Sequence, residues 1–149
     1  GALGIPENSK DLLMIASGTG VAPLRAQILE LIRRGNTRKV QLFYSGQHPC
    51  DLYDLPHLWK LAEKYPWLTI IPVSEEDENP WWHTEAEPLP PIGMKRRIVG
   101  KVGKVVTSFG DWAGYDIQVV GSESMVNSTK FRLRAVGIDV DTVRNDPTY

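Results

Sequence analysis

Short apolar runs alternate with longer stretches in which apolar residues recur every three or four positions. Leu12 to Ala16 is unbroken apolar chain, preceded by Asp11 and closed by Ser17-Gly18-Thr19-Gly20. A short, continuous run of this kind predicts a strand buried on both faces, as in a parallel sheet. From Val21 to Arg34, Leu24, Ile28, Leu31 and Ile32 fall at helical spacing, and Gly35 supplies a stop. A second strand is predicted over Lys39–Ser45, a helix over Asp51–Lys64 with Pro56 in its first turn, and a third strand over Leu68–Val73. Residues 74–99 break this rhythm with clustered carboxylates and four prolines, and read as a long surface excursion. A short helix follows around Val102 to Phe109, then a strand over Tyr115–Val120, a helix over Ser122–Val136 capped by Ser122 or Ser124, and a fifth strand over Val140–Arg144. Strands alternating with helices predict an α/β fold: a doubly wound, five-stranded parallel sheet in a Rossmann-like three-layer sandwich. One nucleotide-binding-type domain is expected over residues 1–149, with 1–10 as a linker remnant.

Composition narrows the chemistry. The chain has 149 residues, with 17 Lys and Arg against 18 Asp and Glu, a net charge of −1 that offers no basic field for nucleic acid. No apolar run is long enough to span a bilayer. The single cysteine, Cys50, excludes an internal disulfide framework and fits a reducing, cytoplasmic setting. His48, His57 and His83 show no metal spacing, and no metal is assigned. The absence of a leader at Gly1 gives the expectation of a domain cut from a longer protein.

In a doubly wound sheet, ligands bind beyond the carboxyl ends of the strands, where the strand order reverses. Ser17-Gly18-Thr19-Gly20-Val21-Ala22-Pro23 occupies such a place. Glycines permit a sharp turn and close approach of a ligand, proline suits a helix start, and a helix N-terminus favours a pyrophosphate. The pattern is neither the full dinucleotide fingerprint, since Pro23 stands at its sixth position, nor a Walker A loop. By itself it leaves a plain tight turn and a ligand-binding turn both open.

Gly18-Thr19-Gly20-Val21-Ala22-Pro23-Leu24 resembles the G-T-G-x-A-P-hydrophobic signature of the pyridine-nucleotide domain in the ferredoxin–NADP+ reductase superfamily. Leu42-Phe43-Tyr44-Ser45-Gly46, Asp51-Leu52-Tyr53, Gly100-Lys101-Val102 and Val119 to Val126 resemble further motifs of that family at matching intervals, across nearly the whole chain. Bacterial oxygenase reductases and flavohaemoglobin reductase modules are the most similar members. The resemblance implies cofactor-binding roles for Gly18, Thr19, Gly20, Val21, Ala22, Pro23, Ser45, Gly46, Ser74, Glu75, Gly121, Ser122 and Met125; it assigns no catalytic residue. It further implies that NADH or NADPH passes electrons to FAD held by a preceding β-barrel of the same protein, and onward to an unidentified acceptor. The flavin-binding R-x-Y-S/T motif is not found here, so the chain resembles a nucleotide-binding half that holds no FAD alone.

Two departures from the family pattern matter. Val120 stands where members carry a cysteine and Ser122 where they carry proline; these favour, as an alternative, a non-catalytic nucleotide-binding or regulatory module. A flavodoxin-like FMN carrier is a further alternative on topology alone. Where NADPH-dependent members place Ser-Arg, this chain has Ser74-Glu75-Glu76-Asp77. Carboxylates repel a 2′-phosphate and accept hydrogen bonds from a free ribose hydroxyl, so NADH is expected over NADPH unless Arg96 or Arg97 swings in. Trp59, Trp67 and Trp112 read as packing residues. Trp81-Trp82 is expected to fold back or meet a partner rather than stand exposed. Tyr149 is a candidate for stacking on a flavin, with a frayed terminus as the plainer reading.

Overall fold

The computed structural model describes residues 4–145; the expectations for Gly1–Leu3 and Tyr149 lie outside them. The elements run β1 (Leu12–Ser17), α1 (Val21–Arg33), β2 (Val40–Gly46), α2 (Leu55–Lys64), β3 (Leu68–Ser74), β4 (Ile98–Val99), α3 (Val102–Ser108), β5 (Asp116–Val120), α4 (Glu123–Ala135) and β6 (Arg144–Asn145). All pairings are parallel, in the order β4-β3-β2-β1-β5-β6. The chain winds outward from β1 through β2 and β3, then returns to place β5 on the other side of β1. The order therefore reverses between β1 and β5.

The uninterrupted apolar runs are explained by burial on both sheet faces. Leu12, Met14 and Ala16 of β1 face a core built with Leu24, Ile28 and Leu31 of α1 and Leu55, Leu58 and Trp59 of α2. Leu13 and Ile15 face the opposite core, with Val102, Val105 and Val106 of α3 and Val126 and Leu133 of α4. Each fully buried Leu or Ile contributes about 1.5–3 kcal/mol relative to exposure, so a one-residue slip of β1 would exchange its two packing sets.

The sheet has six strands rather than five. The extra one, β4, lies within the stretch read as a continuous surface excursion and pairs with Val73 and Ser74. The predicted strand over Val140–Arg144 is a 3-10 turn at Val140–Thr142, with pairing confined to Arg144 and Asn145. Asp139 caps that turn through its carboxylate, which accepts from the Asp141 N–H, and so competes with extended pairing. Likewise α2 begins at Leu55 and not Asp51, because Pro49–Asp51 forms a 3-10 turn with reciprocal hydrogen bonds between His48 and Asp51. Trp59 and Trp112 are buried packing residues. Trp81 and Trp82 do not fold back onto the domain: they are 92% and 63% exposed, which leaves contact with a partner as the standing expectation.

Candidate functional site

Ser17, Ser45 and Ser74 are the last or next-to-last residues of three adjacent strands, and Val120 ends a fourth. Parallel register places them at one edge of the sheet: Ala16 opposite Val120, Ser17 opposite Ser45 and Ser45 opposite Val73. Beyond that edge lies a cleft of about 280 Å³, lined by Ser45, Gly46, Glu75, Lys101, Ser122 and Met125 among others. Ligand pockets run from about 300 Å³ upward, so this one accommodates part of an extended ligand.

The Gly-rich turn adjoins the cleft without lining it. Gly18–Gly20 is a single 3-10 turn leading into α1, and neither the turn nor the helix carries a side-chain cap. The Val21 N–H is taken up by the Gly18 and Thr19 carbonyls, and no side chain occupies the remaining donors of the turn. The two glycines differ. Gly18 has φ +58 and an added Cβ would meet nothing within 4 Å. Gly20 has an ordinary helical φ of −61, but a Cβ there would lie 2.5 Å from the Val120 carbonyl oxygen. Close approach at Gly20 is made by β5, and the open, left-handed position is Gly18. Thr19 is exposed, Val21 is fully buried in the α1 core, and Ala22 and Pro23 are half-buried on the first helical turn. Pro23 suits that turn because its missing N–H would have no intrahelical partner.

The second turn closes against the first. An added Cβ on Gly121 would lie 2.8 Å from Met125 Sδ and 3.2 Å from Ser17 Cβ. Ser122 caps α4 by accepting the Met125 N–H at 3.2 Å. Val120, in the position of the family's cysteine, is fully buried. Gly46 is held just as closely, with an added Cβ 2.8 Å from Asp51 Cβ.

At the far side, Glu75 reaches the cleft and its Oε1 lies 3.5 Å from Lys101 Nζ. Ser74 has no exposure; its hydroxyl donates to the Glu76 carbonyl at 2.6 Å and accepts from Arg97 Nη1 at 2.7 Å. Arg97 also pairs with Glu87 and reaches the Asp77 carbonyl, so it does not swing into the cleft, and Arg96 is exposed. Behind β2, burial pushes the Tyr44 hydroxyl far above its usual range, and it stays neutral while accepting the Asp54 N–H.

Residue-level expectation and geometry meet at Ser45, Gly46, Glu75, Ser122 and Met125, which share the cleft. Gln47, Lys101, Gly103, Ser124, Ser128 and Thr129 line it as well and were missed. Three of these carried a signal: Lys101 lies in the Gly100-Lys101-Val102 motif, and Ser124 and Ser128 stand one helical turn apart on α4. Gly103 permits the crossing that brings α3 to α4, since a Cβ there would lie 3.0 Å from Thr129 Cα.

The donor set fits a dinucleotide better than a metal. Hydroxyls, one ammonium and one carboxylate suit ribose and phosphate oxygens, and among the described residues no group of His, Cys, Asp and Glu could hold a metal ion. Among those residues also, no helix is long and apolar enough to cross a membrane.

Comparison with known proteins shows the family. Residues 14–130 match the family described as the oxidoreductase NAD-binding domain. The reductase component of phenol 2-monooxygenase from Pseudomonas sp. strain CF600 is 32% identical over 73 residues, 48% of this chain and 21% of that protein. The NAD(P)H-flavin reductase of Vibrio harveyi is 26% identical over 128 residues, 83% of this chain and 47% of that protein. The crystal structure of the Amycolatopsis cytochrome P450 reductase GcoB superposes with a TM-score of 0.71 at 21% identity, covering 93% of this chain and 38% of that one. The chain thus spans less than half the length of each of these relatives.

Proposed function

The chain belongs to the oxidoreductase NAD-binding domain family, and on that basis we propose that it is the NAD(P)H-binding half of a flavin-dependent oxidoreductase, presenting the nicotinamide to an FAD held by a preceding domain of the same protein. The observation carrying this reading is the convergence of the Gly18–Gly20 turn, the Gly121–Met125 turn and the Glu75–Lys101 cleft at the carboxyl edge of the sheet, where the strand order reverses. The matched family is NAD-binding, which speaks against an FMN carrier.

In this reading the uncapped donors around Gly18 hold the pyrophosphate, with the positive end of α1 behind them. One nucleoside half lies in the cleft by Ser45, Gly46 and Glu75. The other passes over Gly121, where the close packing of Ser17, Gly20 and Val120 fixes the floor. FAD, when supplied by its own domain, would accept the hydride from the nicotinamide and pass electrons on. The work of this chain is therefore binding and orientation, the protein's usual share of cofactor chemistry. Relatives named as a monooxygenase reductase component and a flavin reductase support an oxidoreductase role for the whole protein. Its electron acceptor belongs to other domains or partners.

NADH is the preferred dinucleotide. Glu75, 3.5 Å from Lys101 Nζ, is the carboxylate of the cleft beside the end of β3, and it accepts from a ribose hydroxyl while opposing a 2′-phosphate. Calorimetric titration should show tighter binding of NADH than of NADPH, and Glu75→Arg should narrow or reverse the preference. Tighter binding of NADPH to the unaltered chain would assign the 2′-phosphate to Lys101 and overturn the charge argument.

A further inference from the structure

Residues 75–97 leave the sheet at the end of β3 and return to it one step outward at β4. The base of this excursion is closed by the parallel pairing of Val73 with Ile98 and Ser74 with Val99, and by the Gly100 N–H donating to the Ser74 carbonyl at 2.8 Å. Across that base lies one guanidinium. Arg97 Nη1 donates to Ser74 Oγ at 2.7 Å, Nη2 to the Asp77 carbonyl at 3.0 Å, and Nε pairs with the Glu87 carboxylate. Its side chain is 11% exposed. A guanidinium so enclosed and so fully engaged costs desolvation that a plain surface ion pair does not.

The contacts of Arg97 lead to the cleft. Ser74 Oγ, which accepts from Arg97, donates its own proton to the Glu76 carbonyl at 2.6 Å. The Glu75 N–H donates to the Gly46 carbonyl at 3.1 Å and the Glu76 N–H to the Gln47 carbonyl at 2.8 Å. Glu75 is therefore held by backbone hydrogen bonds at its own N–H and at that of Glu76, while the hydroxyl that Arg97 holds fixes the carbonyl on the far side of the Glu76 Cα. Such a charge-assisted chain polarises along its length, and losing its first member loosens the rest.

We infer that Arg97 is a specificity-determining positioning residue: acting through Ser74 and Glu76, it fixes Glu75 in the cleft and thereby sets the choice between NADH and NADPH. The inference rests on the nucleotide reading above. It differs from a merely structural role in what it predicts. Loosened packing weakens both dinucleotides alike, whereas a displaced Glu75 weakens NADH and relieves NADPH.

The test is calorimetric titration of the unaltered chain, Arg97→Gln, Arg97→Lys and Ser74→Ala with NADH and with NADPH. The ratio of the two dissociation constants is the readout. Arg97→Gln should cut the NADH preference by about threefold or more, the size of one ordinary hydrogen bond, because Arg97 acts on Glu75 only through Ser74 and Glu76. Ser74→Ala, which leaves Arg97 and Glu87 in place, should move the ratio in the same direction, and the double variant should move it no further than Arg97→Gln alone. Arg97→Lys, a point charge without the planar fork, should restore only part of the preference. A ratio unchanged in both Arg97→Gln and Ser74→Ala, with NADH still bound, overturns the inference and leaves the nucleotide site standing. No binding of either dinucleotide to the unaltered chain overturns both.

Discussion

Replacing Gly20 by valine drives a branched side chain into the Val120 carbonyl, whereas valine at Gly18 enters open space but is held at a left-handed φ. The two substitutions should therefore separate. Gly20→Val costs about 1–3 kcal/mol of stability by overpacking two strand ends, seen as a lower denaturant midpoint. Gly18→Val costs about 1–2 kcal/mol of backbone strain and also obstructs the face left to the pyrophosphate, so NADH affinity falls several-fold in protein that remains folded. Equal affinity in Gly18→Val and the parent would place the phosphates elsewhere. The sequence announces a glycine turn here but not which glycine packs and which stays open. That depends on β5 lying beside β1, a contact about 100 residues away in the chain. Ser74 shows the same limit: its type and position are readable, but its capture by Arg97, 23 residues later, is not.

Between α1 and β5, Gln27 and Gln118 form a buried reciprocal amide pair, with Nε2 of each donating to Oε1 of the other at 2.7 and 2.9 Å. Either single leucine substitution strands the partner's amide and should cost about 1–3 kcal/mol, while the double leucine variant should cost less than the sum; additive losses in chemical denaturation would show that the pair is not coupled. At the other end of α1, hydrogen bonds from Arg33 and Arg34 lower the Glu30 carboxyl from 4.5 to about 2. A carboxyl held lower in the folded state adds stability above its unfolded value and loses it as the pH falls toward the folded one. Glu30→Gln should therefore flatten the stability profile between about pH 4.5 and 2, and high salt should do the same because the pair lies at the surface. An unaltered acid limb would remove Glu30 from the account. Helices and buried strands were legible because their periods are dictated by facing one or two cores. The edge strand β4 was not, since a two-residue pairing leaves no period to read, and β6 begins four residues later than expected, at Arg144.

Across the whole molecule, parallel winding gathers residues from 17 to 129 at one edge of the sheet. Topology made the place of the site legible, but the α3 and α4 contributions to its lining emerged only with the helix crossing at Gly103. The excursion was legible as a break in pattern, while its anchoring by Arg97 and its exposed tryptophans were not, because both depend on contacts distant in sequence. The central claim is that this edge binds NAD(P)H. Amide chemical-shift mapping of the isotope-labelled chain during an NADH titration tests it most directly. The account predicts saturable shifts concentrated at Gly18, Thr19, Ser45, Gly46, Glu75, Gly121, Ser122 and Met125, with the amino-terminal ends of the strands, around Leu12, Val40 and Leu68, unmoved. Shifts concentrated at those amino-terminal ends, or no saturable shift at millimolar NADH, would contradict it.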